Sequence, residues 1–303
     1  MKRITLFPYL LLLLGFILLY SCNSADKGNQ VKSAKMIVEQ SSESKEKVEN
    51  IKRIFYTLPS PLELTILFKK EGIEYQPERM HDVEAKERYT YSVKKALNLG
   101  VYGADLSYAG LFTNRIEAIK VFKTTQELAS DLGIEQTFQK KFILRLEQSP
   151  DNRDTLLAVI SDFFLENDIY LKESKQQDIS TLVLAGGWIE GMYLGSTMLA
   201  EDANREGIRE VISNQRNSLH NLIILLQNLD KSEEVDNIVR SITKLEKHFI
   251  EIPIQKVEST DVYKDEEGVL HIDDNKAQNI TLSDSTFQII KKKITAIRND
   301  IVR

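Results

Sequence analysis

Six residues in two glycine-rich stretches carry the side chains best suited to hold or transform a small molecule. Tyr102, Asp105 and Tyr108 lie in Asn98-Leu99-Gly100-Val101-Tyr102-Gly103-Ala104-Asp105-Leu106-Ser107-Tyr108-Ala109-Gly110. Trp188, Glu190 and Tyr193 lie in residues 179–200, where Glu190 is the single formal charge. A carboxylate among aromatic rings can orient a ligand by hydrogen bonding while the rings stack on it. The same carboxylate, once buried, must be ion-paired, hydrogen-bonded or protonated. A ligand-binding cleft shared by all six residues is therefore one expectation. Its rival is structural: Asp105 as a helix cap, the tyrosines as core, and Glu190 bonded to a Lys, Arg or Tyr of another helix.

Other chemistries find less support. His81, His220, His248 and His271 are scattered, with no His-Glu-x-x-His pair, so no metal site is expected. Asp261, Asp265 and Gly268 suggest a calcium loop, but Glu266 stands where the turn glycine of an EF-hand belongs. The Gly100/Gly103 spacing is no dinucleotide loop, since no strand precedes it. No Gly-x-Ser-x-Gly elbow appears. A carboxylate pair assembled across the fold stays open. The expectation is a protein without cofactor and without catalytic activity.

The only cysteine, Cys22, follows a charged Lys2-Arg3 and an almost purely apolar run over residues 6–19. That run is shorter than the roughly 20 apolar residues of a spanning helix and suits an export signal. It ends in Leu19-Tyr20-Ser21-Cys22, with an aliphatic residue three positions before the cysteine and a small one just before it. The arrangement resembles the lipobox of bacterial lipoproteins. The resemblance implies cleavage before Cys22, a diacylglycerol thioether on its sulfur and acylation of its new amino group. Two or three acyl chains, at about 0.8 kcal/mol per buried methylene, anchor stably where one would not. Asn23 stands where an aspartate typically retains such proteins in the inner membrane, so the outer membrane is the expected destination. In an oxidising compartment Cys22 has no intramolecular partner, and acylation would consume its thiol. The wording around Gly100–Gly110 is also similar to segments of uncharacterised helical lipoproteins of Bacteroidota-type bacteria, which implies no particular activity.

The elements that would position these residues are helices. Residues 1–21 read as the leader, 22–30 as a polar tether, and 31–303 as a single α-helical domain. Ser60-Pro61-Leu62-Glu63 is a capping box with proline at the first helical position, and Gly72 suits the end of that helix. Ser149-Pro150 repeats the start signal. Gly100 and Gly103 read as a helix end and a turn, with Asp105 capping a helix that holds Tyr108. Ile208, Val211, Ile212, Leu219, Leu222, Ile223 and Leu226 mark one helix face, and Val235, Ile238, Val239, Ile242, Leu245 and Phe249 the next. The short connection implies an antiparallel pair. Thr281 and Asp284 read as caps of a last helix whose stripe is Phe287, Ile290, Ile294, Ile297 and Ile301. Residues 254–279 break the pattern and read as a small hairpin or ordered loop. The fold class is all-α, a multi-helix bundle.

Gly187, Gly191 and Gly195 recur at every fourth position of the 179–200 segment. Each costs roughly 1 kcal/mol against alanine in a helix, so close packing must offset it. A central helix with its glycine face against a neighbouring backbone does so; a second membrane segment would as well, but its flanks show no Lys/Arg asymmetry. The whole chain carries a formal charge of −5, and loss of Lys2 and Arg3 with the leader makes the remainder more acidic. That argues against nucleic acid and against electrostatic adhesion to anionic lipid. The sequence therefore points to an exported, lipid-anchored helical body that binds a protein partner or envelope component, with small-ligand binding as the alternative.

Overall fold

A computed structural model of the chain describes residues 58–134, 139–148, 153–173, 176–252, 262–264, 270–272 and 282–303. All belong to one compact unit, Ile54–Arg303. The leader 1–21, Cys22 and the tether 22–30 lie outside the described residues. So do the Ser149-Pro150 cap, Thr281 and the Asp261/Asp265/Gly268 loop.

Ten α-helices, two short 3-10 helices and one hairpin account for the ordered elements among the described residues. The helices are α1 (Pro61–Lys70), α2 (Ser92–Leu111), α3 (Arg115–Asp131), α4 (Gln139–Gln148), α5 (Arg153–Glu173), α6 (Gln177–Thr197), α7 (Arg205–Asn214), α8 (Arg216–Gln227), α9 (Glu233–Ile250) and α10 (Asp284–Val302). Two short 3-10 helices, Pro77–Arg79 and Val83–Arg88, link α1 to α2. The all-α bundle expected from the helical periodicity is what the chain forms. Strands β1 (Val262–Lys264) and β2 (Leu270–Ile272) pair antiparallel with Val262 opposite Ile272, within the stretch expected to hold a hairpin.

Local chemistry explains the starts. The Ser60 hydroxyl accepts from the Glu63 N–H while the Glu63 carboxylate accepts from the Ser60 N–H, closing the capping box. Gly72 follows α1 at φ +99°, a conformation open to glycine. Ser283, rather than Thr281 or Asp284, accepts from the Thr286 N–H and caps α10. On α9 the buried residues Val235, Ile238, Ile242, Leu245 and Phe249 fall at alternating spacings of three and four, which puts one apolar stripe inward.

The centre of the bundle is α2 packed on α6, with α1, α3, α5 and α10 against that pair. Every α2 residue from Ala96 to Leu111 is buried. This corrects the expected break at Gly100 and Gly103: the helix runs straight through both, and Asp105 sits mid-helix rather than at a cap. A Cβ on Gly100 would fall 1.9 Å from the Val183 carbonyl oxygen, and one on Gly186 would fall 1.8 Å from the Leu97 oxygen. Glycine is present there because two backbones touch, not because the chain turns. The Gly187, Gly191, Gly195 face meets mainly side chains: Pro61, Leu64 and Phe68 of α1 fill it. The backbone contact expected along that face thus lies one residue over, at Gly186. Among the described residues no helix is long and apolar enough to cross a membrane.

A second correction concerns residues 208–226. They form two helices, α7 and α8, joined at Gln215, whose N–H bonds the Ile212 carbonyl in a tighter turn. Gln215 is buried and its side-chain oxygen accepts from the Trp188 indole N–H at 3.4 Å. The sequence sign was the missing apolar residue between Ile212 and Leu219. Helices α8 and α9 then pack together, with His220 Nδ1 2.7 Å from Glu246 Oε1, as an antiparallel pair requires.

Candidate functional site

The buried polar residues of α2, α6 and α10 converge, and they converge on each other. Glu190, wholly buried on α6, receives two bonds from Arg298 of α10: Nε to Oε2 at 2.9 Å and Nη2 to Oε1 at 3.2 Å. The guanidinium also lies 4.8 Å from the centre of the Tyr193 ring, a cation–π contact. This fork-to-fork geometry is the strongest form of the ion pair. Burial alone would depress the Arg298 pKa, but the Glu190 carboxylate more than offsets it and raises it.

Asp105, also wholly buried, feels the charge of the same guanidinium without a bond to it. Its Oδ2 accepts the His81 backbone N–H at 2.9 Å; its Oδ1 has no partner. Burial first, and the charge of Glu190 second, push the Asp105 carboxyl well above its ordinary range. Burial pushes Glu190 upward too, but there Arg298 works against it.

The segment 77–91 closes the cluster from outside. The His81 ring stacks on Tyr102, centroids 5.0 Å apart. Its Nε2 is 2.5 Å from the Tyr89 hydroxyl, which donates to the Val302 carbonyl at 3.3 Å. A single hydroxyl proton given to Val302 leaves His81 Nε2–H as the donor in the first bond. Burial, then the nearby Arg298, lower the His81 pKa to about 4, so the ring is neutral. Burial raises Tyr89 to about 12 and raises Tyr102 as well. Tyr102 donates to the Asp82 carbonyl at 2.7 Å. Tyr108 donates to the Glu74 carbonyl at 2.5 Å and accepts from the Gln76 N–H at 2.7 Å.

The last turn of α10 is held by α2 and by Tyr89, just before α2. Its carbonyls would otherwise lack intrahelical partners. Asn98 Nδ2 donates to Ile301 O at 3.0 Å, Lys94 Nζ donates to Ile301 O at 3.2 Å and to Asp300 O, and Tyr89 takes Val302 O.

Tyr102, Asp105, Tyr108, Trp188 and Glu190 are buried, and Tyr193 is half-buried beside Arg298. Asp105, Glu190, Tyr102 and Tyr193 share one cluster around Arg298 and His81. Tyr108 serves the loop after α1, and Trp188 serves Gln215. Arg298, His81, Tyr89 and Asn98 were missed. For Arg298 a signal existed: it stands four residues after Ile294 and one after Ile297, on the edge of the buried stripe of α10. His81 and Tyr89 come from a stretch without periodicity, which gave nothing to read.

A cleft of about 270 Å³ lies beside this cluster, between α2, α9 and α10. Val93, Leu97, Ile238 and Ile297 supply apolar lining, and Lys94, Glu234 and Asp300 supply charge. Among the described residues no His, Cys, Asp and Glu side chains group as metal ligands would. Comparison of the chain with protein-family models, curated proteins and solved structures finds no match.

Proposed function

We propose that the chain is an exported lipoprotein, held at the outer membrane by acylated Cys22, whose helical body binds a protein partner or another envelope component without catalysing a reaction. The observation that carries this reading is the leader: Lys2-Arg3, the apolar run, and Leu19-Tyr20-Ser21-Cys22. The body lends support of a different kind. Glu190 is committed to Arg298, Tyr102 and Tyr108 to main-chain carbonyls, and Trp188 to Gln215. Groups bonded in this way act as framework, and their hydrogen-bonding capacity is spent on neighbouring elements.

The test is Cys22→Ala in the full chain, followed by labelling with a radioactive fatty acid and membrane fractionation. Loss of label and release from the membrane fraction are expected. Unchanged labelling would sink the anchor.

A second reading, small-ligand binding, rests on the cleft between α2, α9 and α10, which joins an apolar wall to charged and polar groups. A metabolite that occupies it stabilises the folded chain, so a thermal-shift screen reads it directly. Ser241 also lines the cleft, and Ser241→Trp should then abolish the shift. A screen in which no compound raises the unfolding midpoint removes this reading and leaves the first.

A further inference from the structure

Three ionisable groups meet where α2, α6 and α10 touch: Asp105, Glu190 and Arg298. The two carboxyls are wholly buried, and the charge of Arg298 acts on both. Both guanidinium bonds go to Glu190, in the geometry that favours an ionised carboxylate. Asp105 is left with one backbone N–H from His81 and an oxygen, Oδ1, that nothing contacts through a hydrogen bond. Other groups around it offer no compensating charge. Tyr102 and Tyr108 on its own helix, Tyr75 after α1, Tyr89 and neutral His81 all keep their uncharged forms. With both carboxyls ionised the cluster would carry a net negative charge deep in the core, which burial opposes strongly.

We propose that Asp105 is a proton-binding site: its carboxyl carries a structural proton, and its ionisation loosens the hold of the bundle on α10. With the proton in place the cluster is neutral, and Arg298 belongs to Glu190 alone. Without it, two carboxylates compete for the guanidinium that ties α10 to α6. The next turn of α10 depends on the same region, through Lys94, Asn98 and Tyr89 on its last carbonyls. Opening is therefore expected at 294–302 and at the 77–91 segment, whose His81 N–H bonds Asp105.

The sign follows from the proton count. In the unfolded chain Asp105 ionises near 3.8, whereas in the fold burial and Glu190 raise it. Between those values the folded state holds the extra proton, so this group's contribution to stability falls as pH rises. His81 acts in the opposite direction at acid pH, because the unfolded chain takes up its proton first.

Infrared difference spectroscopy on the full chain at neutral pH tests the assignment. A C=O stretch of a buried protonated carboxyl is expected, shifted when the protein is made with isotope-labelled aspartate and lost in Asp105→Asn. Absence of the band, or a band that ignores the aspartate label, overturns the proposal. The label needs no substitution, so the outcome stands even if Asp105→Asn does not fold. Hydrogen exchange reads the coupling: over 294–302 the unsubstituted chain should exchange faster than Asp105→Asn at alkaline pH, and at the same rate under mild acid. Equal rates at every pH would reject the link to α10.

Discussion

Gly186→Ala separates helix propensity from helix packing, because the two predict opposite signs. On propensity alone the substitution stabilises α6 by about 1 kcal/mol. In the fold, the new Cβ would lie 1.8 Å from the Leu97 carbonyl oxygen and 2.8 Å from its carbon. Real Cβ contacts are essentially never under 3.0 Å, so α2 and α6 must part by more than about 1 Å. Extra methylenes absorbed by side chains cost roughly 1–3 kcal/mol. Here the opposing atoms are backbone of a helix buried on all sides, so the upper end applies, about 3 kcal/mol. The net loss is then about 2 kcal/mol, and for a body of this size each kcal/mol moves the midpoint by roughly 2–4 °C. Thermal unfolding followed by circular dichroism should show Tm lowered by roughly 4–8 °C. Gly191→Ala is the internal comparison, since its Cβ meets a movable leucine tip, Leu64 Cδ2, at 2.8 Å. Its loss should be smaller, while Gly191→Leu should cost several times as much. A Gly186→Ala variant as stable as the parent would refute the backbone contact between α2 and α6.

Further expectations follow from single features of the fold. Arg298→Ala strands the Glu190 carboxylate in the core and should cost about 3–5 kcal/mol, whereas the paired change Glu190→Leu with Arg298→Met should cost much less; urea midpoints compare them. Thr113, which follows α2 with φ +61°, pays for a left-handed backbone that a β-branched residue resists, so Thr113→Gly should raise stability by about 1 kcal/mol in the same assay. Ser60→Ala removes a cap and should lower stability by about 1 kcal/mol, read as a shift in Tm. His81, neutral in the fold down to about 4 against 6.5 unfolded, should subtract stability as pH falls through that window, by about 3 kcal/mol in all. The difference in urea midpoint between the parent and His81→Gln, followed across pH, isolates this slope; a difference that does not vary with pH would count against a buried neutral ring.

Much of the fold was legible in the residue pattern because helices announce themselves locally. The capping box at Ser60, the stripe of α9 and the stripe of α10 each rest on residues within a few positions of one another. Gly100 shows where that logic fails. A glycine at a helix end and a glycine at a backbone crossing look the same in sequence, since both are places without a side chain. Only the partner helix distinguishes them. Gln215 failed in the same way: its polarity interrupts an apolar face, but the indole of Trp188 that draws it inward comes from another helix.

By itself, the sequence determined an all-α bundle, the capped start of α1, a hairpin or ordered loop in place of helix near 262–272 and the burial of the 179–200 segment. It also identified Glu190 as a group whose burial would demand an explanation, while Asp105 read as a cap. Tertiary structure alone decided what that explanation is. Arg298 stands 108 residues from Glu190, and His81 stands 24 from Asp105. No local periodicity can express such pairings. They arise because α2 and α6 pack backbone to backbone in the core, so the carboxyl each one buries must be met by a group from elsewhere in the chain.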